Sequence, residues 1–227
     1  MEKNLKVIGI SGLARAGKDL YYKIASKLLN DVGYETKKYA FADALKNDLD
    51  DWLKRNYGIS AWTDNTEEKK IIRPFMVAHG CGKRIQTEGK YWVEKIDWEL
   101  KVQQDMVNNG YRTNNVIHFI TDVRFPNEAD WVHDGWNGKL IHLRRFSFRQ
   151  LGDGNGNIFV DKVYDPAPNE EEEKNDPLVK DKSDFKLEWE NMLVSKKSNS
   201  YEELLENEEL KSKVKESLIE FKLTTST

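Results

Sequence analysis

A chain of 227 residues, 38% hydrophobic and 33% charged, has the length for one full α/β core and is short for two independent domains. No apolar run nears the ~18–20 residues that cross a bilayer, and the opening MEKNLKVIGISG turns polar too soon for a secretory signal; a cytoplasmic protein with no membrane partner is expected. The net charge of −3 divides into +3 over residues 1–165 and −6 over residues 166–227, with no clustered basic stripe, which argues against a nucleic-acid partner.

The first unit is LKVIGI (5–10), a short β-rich apolar run of the kind buried in a parallel sheet. A Gly-containing loop follows, and KDLYYKIASKLLNDVG reads as a helix. Its Leu20, Tyr21, Ile24, Ala25, Leu28 and Leu29 recur at helical spacing, and Gly33 stands where a C-terminal cap would. ETKKYAF (35–41) supplies a second, weaker strand and completes a βαβ unit. Residues 43–110 lack a convincing strand and predict several helices, among them EEKKIIRPFMVAHG and YWVEKIDWELKVQQDMVNNG. NVIHFITD (115–122) is the strongest strand of the chain, FPNEADWVHDG a helix with Pro126 in its first turn and Gly135 closing it, and KLIHLR (139–144) the next strand. Residues 146–185, with GDGNGN and DPAPNEEEEKNDP, are polar and turn-rich; they predict a lid or a disordered loop, with Glu170–Glu173 a solvated run. NMLVS (191–195) reads as the last strand, and SYEELLENEELKSKVKESLIEF as a terminal helix opened by a Ser200/Glu203 capping box. Five strands alternating with helices predict a three-layer α/β domain around a mostly parallel sheet.

Seven of the eight positions from Gly12 in GLARAGKD fit the phosphate-binding pattern G-x-x-x-x-G-K-[ST]. The string is only moderately specific alone, but it stands between a strand and a helix, its confirming setting. There the backbone N–H groups wrap a phosphate, the helix N-terminus adds favourable dipole charge, and Lys18 bridges terminal phosphates. The candidate nucleotide site is therefore Gly12, Leu13, Ala14, Arg15, Ala16, Gly17, Lys18, Asp19 and Leu20. Asp19 replaces the expected hydroxyl and has two readings. It complements the helix dipole, or its carboxylate faces Mg²⁺ directly or through water.

In ITDVRFPNE, Asp122 follows a buried strand, where an acid can hold the metal, and Arg124 offers a bidentate grip on phosphate; a capping Asp beside a surface Arg is the plainer reading. In RRFSFRQLGDG, Arg144, Arg145 and Arg149 are candidates to close over a transferring phosphoryl group, against an ordinary basic loop. DGNGNIFVD fails as a calcium loop, since Ile158 and Tyr164 stand where Gly and Glu are needed, and reads as a turn. The single Cys81 excludes an internal disulfide and a thiolate zinc cluster, and the four histidines show no metal-ligand spacing.

Taken in order, these pieces resemble the deoxynucleoside monophosphate kinases of tailed phages, relatives in fold of phosphomevalonate kinase and the wider P-loop nucleotide kinases. GLARAGKD matches the family's habit of Asp after the lysine. YAFADALKNDL resembles its strand, small-residue turn and lysine, here Lys46. IRPFMVAHGCGKRI…YWVEKI resembles its arginine-plus-LGT helix followed by a Trp, giving Arg73, Gly80, Arg84 and Trp92. ITDVRFPNEAD follows D-x-R-x-x-x-E loosely, and NMLVSKKSNSYEELL parallels a late strand, polar turn and helix start. The chain departs from the family at Gly80-Cys81-Gly82, at the polar turn before the last helix, and throughout 146–185.

The resemblance implies a single P-loop kinase domain over 1–227, with a helical acceptor-binding insertion at about 43–110 and a lid at about 146–185. It implies transfer of the ATP γ-phosphoryl to a dNMP with Mg²⁺ as cofactor. Lys18 would hold the phosphates and Asp19 and Asp122 the metal. Lys46, Arg73, Arg84 and Arg124 would bind the acceptor, Arg144, Arg145 or Arg149 would close over the transferring group, and Trp92 and Phe41 either wall the base site or pack the core. Small-molecule nucleotides are the expected partners, a homodimer is in keeping with the phage relatives, and the host cytoplasm is the location if the protein is viral. Two rival readings are another small-metabolite kinase of the phosphomevalonate type and a non-catalytic nucleotide switch; the guanine-reading N-K-x-D string of a switch is absent.

Overall fold

The computed structural model describes residues 4–152, 158–193, 195 and 200–225. The chain divides into two compact units: Tyr39–Asn114 with the N-terminal residues up to Asn4, and Leu5–Lys38 with Asn115–Thr227.

The second unit is built on a mixed, mostly parallel sheet of six strands. β1 (Lys6–Ser11) is buried from Val7 onward because it lies between β3 (Val116–Val123) and β4 (Lys139–Gly152), parallel to both. β2 (Glu35–Tyr39) lies beyond β3. On the far side, β6 (Phe185–Glu190) runs parallel to Ile141–Phe146 of β4, and β5 (Ile158–Tyr164) runs antiparallel to Phe146–Gly152. The Arg145 carbonyl accepts from the Asp165 amide and the Phe146 carbonyl from the Asn191 amide. Successive carbonyls of a strand face opposite edges, so β5 sits on the β1 edge of β4, past the point where β1 has ended.

Helices cover both faces. Ile8 and Ile10 pack with Tyr21, Ile24 and Leu29 of α1 (Lys18–Asp31) and with Val214 and Leu218 of α8 (Glu208–Glu220). Gly9 faces the other way, toward Val132 and Leu140; Val132 belongs to the π-helical turn that continues α5 (Pro126–Asp130) through Gly135. α1 ends as its glycine indicated: Gly33 has φ +89° and its N–H returns to the Asn30 carbonyl.

Several expectations are corrected. The sheet has six strands, not five, and the last is Phe185–Glu190; Asn191–Leu193 form no strand. FKLEWE alternates over its first five residues, sending Leu187 and Trp189 into the core at 3% and 2% exposure while Lys186 and Glu188 take the other side; the closing Glu190 is buried at 8%. Residues 146–185 are not the disordered loop that was one of their two readings: most of their described length is the extension of β4, then β5, then α6 (Glu170–Asp181). Glu170–Glu173 is no solvated loop but the first turn of α6, where four acids complement the helix dipole and Asn169 caps the Glu172 amide at 2.8 Å. The terminal helix opens at the Ser200 cap as read, but breaks into α7 (Tyr201–Glu206) and α8, because the Asn207 side chain caps a new start at Leu210. The turn read at 153–157 and most of the polar turn before α7 (residues 194 and 196–199) lie outside the described residues.

The first unit holds α2 (Phe41–Tyr57), α3 (Thr66–Gln86) and α4 (Lys90–Asn108), so the second strand stops at Tyr39 and helix begins at Phe41. Leu49, Leu53, Ala61 and Ile72 form its small core. Tyr91 and Lys95 of α4 both donate to the Asp48 carboxylate of α2, at 2.5 and 3.0 Å, and tie the two helices together. Among the described residues no helix is long and apolar enough to cross a membrane.

Candidate phosphate-binding site

The strand order reverses at β1: the chain fills one side with β2 and β3, then the other with β4 and β6. In open α/β sheets such a switch point leaves a crevice at the carboxyl ends of the strands. The chain leaves β1 into that crevice at Ser11, whose hydroxyl donates to the Ile141 carbonyl at 3.0 Å.

Two glycines make the loop possible. Gly12 has φ +126°, and a Cβ there would lie 2.2 Å from the Leu143 carbonyl oxygen. Gly17 has φ +95°, and its Cβ would lie 2.5 Å from the Trp189 ring. Both positions need left-handed backbone and close approach together, which only glycine supplies. Between them Arg15 also takes positive φ, at 66°, and the Ala16 amide closes onto the Leu13 carbonyl at 3.1 Å. Trp189 fastens the loop from β6, its indole N–H donating to the Ala16 carbonyl at 2.8 Å.

Lys18 opens α1. Its Nζ donates to the carbonyls of Gly12 and Leu13, at 2.6 and 2.9 Å. Burial, and then the neighbouring Arg124 charge, lower its pKa to about 8, while Glu172, Asp122 and Asp176 act in the opposite sense. A lysine so placed gains from any anion that arrives. Beside the loop is a cavity of about 380 Å³, lined among others by Lys18, Asp19, Arg124, Arg145 and Tyr201. Arg145 is anchored by Asp165, Nε to Oδ2 2.7 Å. Arg144 stacks 3.6 Å above the Tyr164 ring and lines a second, smaller cleft with Leu13 and Ala14. The β4–β5 arm thus brings two of the three predicted arginines to the loop. Arg149, paired in register with Asp161 farther along the arm, is exposed and lines neither space.

The carboxylates divide. Asp122, at the end of β3, is close enough for its charge to act on Lys18. Asp19 is 71% exposed and pairs with Lys38 at 2.6 Å. Among the described residues no cluster of three His, Cys, Asp or Glu side chains forms a ready metal cage. Glu128, the last member of D-x-R-x-x-x-E, is buried and accepts from the amides of Arg124 and Phe125, so it shapes the turn that presents Arg124.

Sequence reasoning missed Glu172. Its Oε2 accepts from the Ala14 amide at 2.8 Å and its Oε1 from Arg124 Nη1 at 2.8 Å. One turn on, Asp176 accepts from His142 Nε2 at 2.9 Å, and Val179 is buried. The spacing 172, 176, 179 is a single helical face, the one signal in the sequence that set this glutamate apart.

The remaining predicted residues lie in the helical unit. Lys46 on α2 pairs with Asp43 and covers the Trp62 ring. Arg73 and Arg84 share α3, and Arg73 is exposed. Gly80, Cys81 and Gly82, read against a family turn, are in mid-helix. Trp92 is 3% exposed and donates to the Gly80 carbonyl at 3.2 Å, and Phe41 is 5% exposed; both have core-packing surroundings. Comparison of the chain with models of known protein families and with curated protein sequences gave no match.

Proposed function

We propose that the protein is a P-loop kinase that moves the γ-phosphoryl of ATP to a deoxynucleoside monophosphate, giving ADP and a dNDP. The observation that carries the reading is the loop Gly12–Lys18 at the sheet's switch point, shaped by two obligatory glycines and faced by Lys18, Arg124 and Arg145. Phosphoryl transfer asks for positioning and charge stabilisation more than for a nucleophile on the enzyme, and a loop of amides ringed by cations offers that.

In this reading the loop amides and Lys18 bind the β- and γ-phosphates, with Lys18 exchanging its two carbonyl partners for phosphate oxygens. Arg124 binds phosphate at the end of β3, and Arg145, steadied by Asp165, stabilises charge on the transferring group. A Mg²⁺ site needs only one or two carboxylates beside substrate phosphates and water, and Asp122 and Asp19 fit that modest requirement. When bound, the ion neutralises phosphate charge. Lys46, Arg73 and Arg84 remain proposed contacts of the acceptor, and the choice of a deoxynucleotide rests on the phage-kinase resemblance.

The test is ADP formation from Mg·ATP across dAMP, dGMP, dCMP, dTMP and their ribonucleotide forms, with phosphomevalonate as a further acceptor. Turnover with at least one dNMP and its loss in Lys18→Ala are expected. Turnover retained in Lys18→Ala would sink the assignment, and turnover with phosphomevalonate alone would move it to the rival kinase class.

A further inference from the structure

The Glu172 carboxylate is held the way a ligand of the loop would be. A backbone N–H of the loop and a guanidinium are the donor pair that receives a phosphoryl oxygen, and here they receive the two oxygens of one side chain. Only 9% of Glu172 is exposed. Its position is enforced by the rest of α6. Asn169 caps the Glu172 amide, Asp176 on the next turn is tied to His142, and Val179 is buried beneath. Lys18 meanwhile bonds to loop carbonyls. The loop therefore has its cations in place and an internal anion among them.

We propose that the Ala14 amide and the Arg124 guanidinium form an anion subsite on the loop, filled by Glu172 in the free protein and yielded to a terminal phosphoryl oxygen of the bound nucleotide. The inference rests on the phosphate-loop reading given above. Arg124 is then the cation that changes partner, from carboxylate to phosphate, and nucleotide binding carries the cost of displacing Glu172. A carboxylate serves this role because it matches phosphate in charge sign and in presenting paired acceptor oxygens, yet binds weakly enough to be replaced.

The experiment is equilibrium titration of the full chain with Mg·ATP and with adenosine, followed by tryptophan fluorescence, in wild type, E172Q, E172A, E173Q and K18A. Removing the internal competitor is expected to tighten Mg·ATP about tenfold in E172Q, the size of one charge-assisted hydrogen bond taken from the free state. E172A is expected to tighten it at least as much, with its thermal midpoint measured to verify folding. Adenosine, without phosphoryl groups, should bind E172Q and wild type alike. E173Q removes the same charge from the exposed neighbour and should leave Mg·ATP affinity unchanged. Affinity in E172Q at or below wild type, while K18A still loses binding, overturns the subsite and leaves the phosphate-loop reading standing. An equal gain in E173Q also overturns it, by reducing the effect to net charge. If wild type and K18A titrate alike, the phosphate-loop reading itself fails.

Discussion

Replacing Gly12 by alanine tests how tightly the loop is built into the sheet. The added Cβ would lie 2.2 Å from the Leu143 carbonyl oxygen, and the backbone there has φ +126°. Neither partner has room to give: Leu143 pairs with Leu187 of β6 on its other edge and is itself fully buried. Strain in a glycine-only conformation costs about 1–3 kcal/mol, and forcing a methyl into packed structure costs about 1–3 kcal/mol more. The middle of the combined range is about 4 kcal/mol, which for a chain of this size lowers the thermal midpoint by about 8–16 °C. Circular dichroism melting of Gly12→Ala beside Gly82→Ala supplies the measurement. Gly82 lies in α3 with nothing within 4 Å of its would-be Cβ, so alanine there is expected to gain up to about 1 kcal/mol of helix propensity. A Gly12→Ala midpoint within about 2 °C of wild type, roughly 1 kcal/mol or less, would refute the close approach.

Three further outcomes are expected. Lys18 titrates at about 8 in the free protein, and a bound phosphate raises that value, so the complex holds more protons than the free chain above pH 8. Nucleotide affinity should be flat below pH 8 and fall as pH rises beyond it, a trend isothermal titration across that range would detect and Lys18→Ala should lack. Arg145→Ala should lower kcat about 10²-fold with a smaller change in the KM for ATP; an unchanged kcat in steady-state assays would leave Arg145 only its tie to Asp165. In the helical unit, Asp48→Asn should cost about 1 kcal/mol by weakening the bonds from Tyr91 and Lys95. Burial pulls the Asp48 pKa upward, but those hydrogen bonds and the Lys95 charge hold it below the usual value. Its contribution is therefore full above the unfolded carboxylate pKa and is lost as pH falls through the folded one, so wild-type and variant melting curves should converge in acid.

The Gly12–Lys18 loop was legible because its pattern is written in residue identity: two glycines and a lysine at fixed spacing, just past an apolar run. The helical character of residues 43–110 was legible because no convincing strand interrupts them, although Phe41, where α2 begins, was read as strand. β6 was not, because Lys186 and Glu188 alternate with Leu187 and Trp189, and a six-residue strand half charged reads like the loop before it. Glu172 was hidden for a different reason. Four consecutive glutamates are chemically equal as residues, and only the helical face shared with Asp176 and Val179 separates the one that meets Ala14 and Arg124. Arg144, Arg145 and Arg149 looked equivalent in sequence; the length of β4 separates them, since two stand at the root of the arm and one farther along it.

That same strand has a mechanical consequence. β4 is held by β1 over Lys139–His142 and by β6 over Ile141–Phe146, and projects past β1 with β5 paired on that edge. It is a cantilever, built in at the end that β1 and β6 hold. Lengthening the chain between Gly152 and Ile158 would leave Arg144 and Arg145 where they are, because their height above the loop is set at the clamp. The arm's outer end can therefore change in length and composition among related chains without moving the two cations nearest the loop.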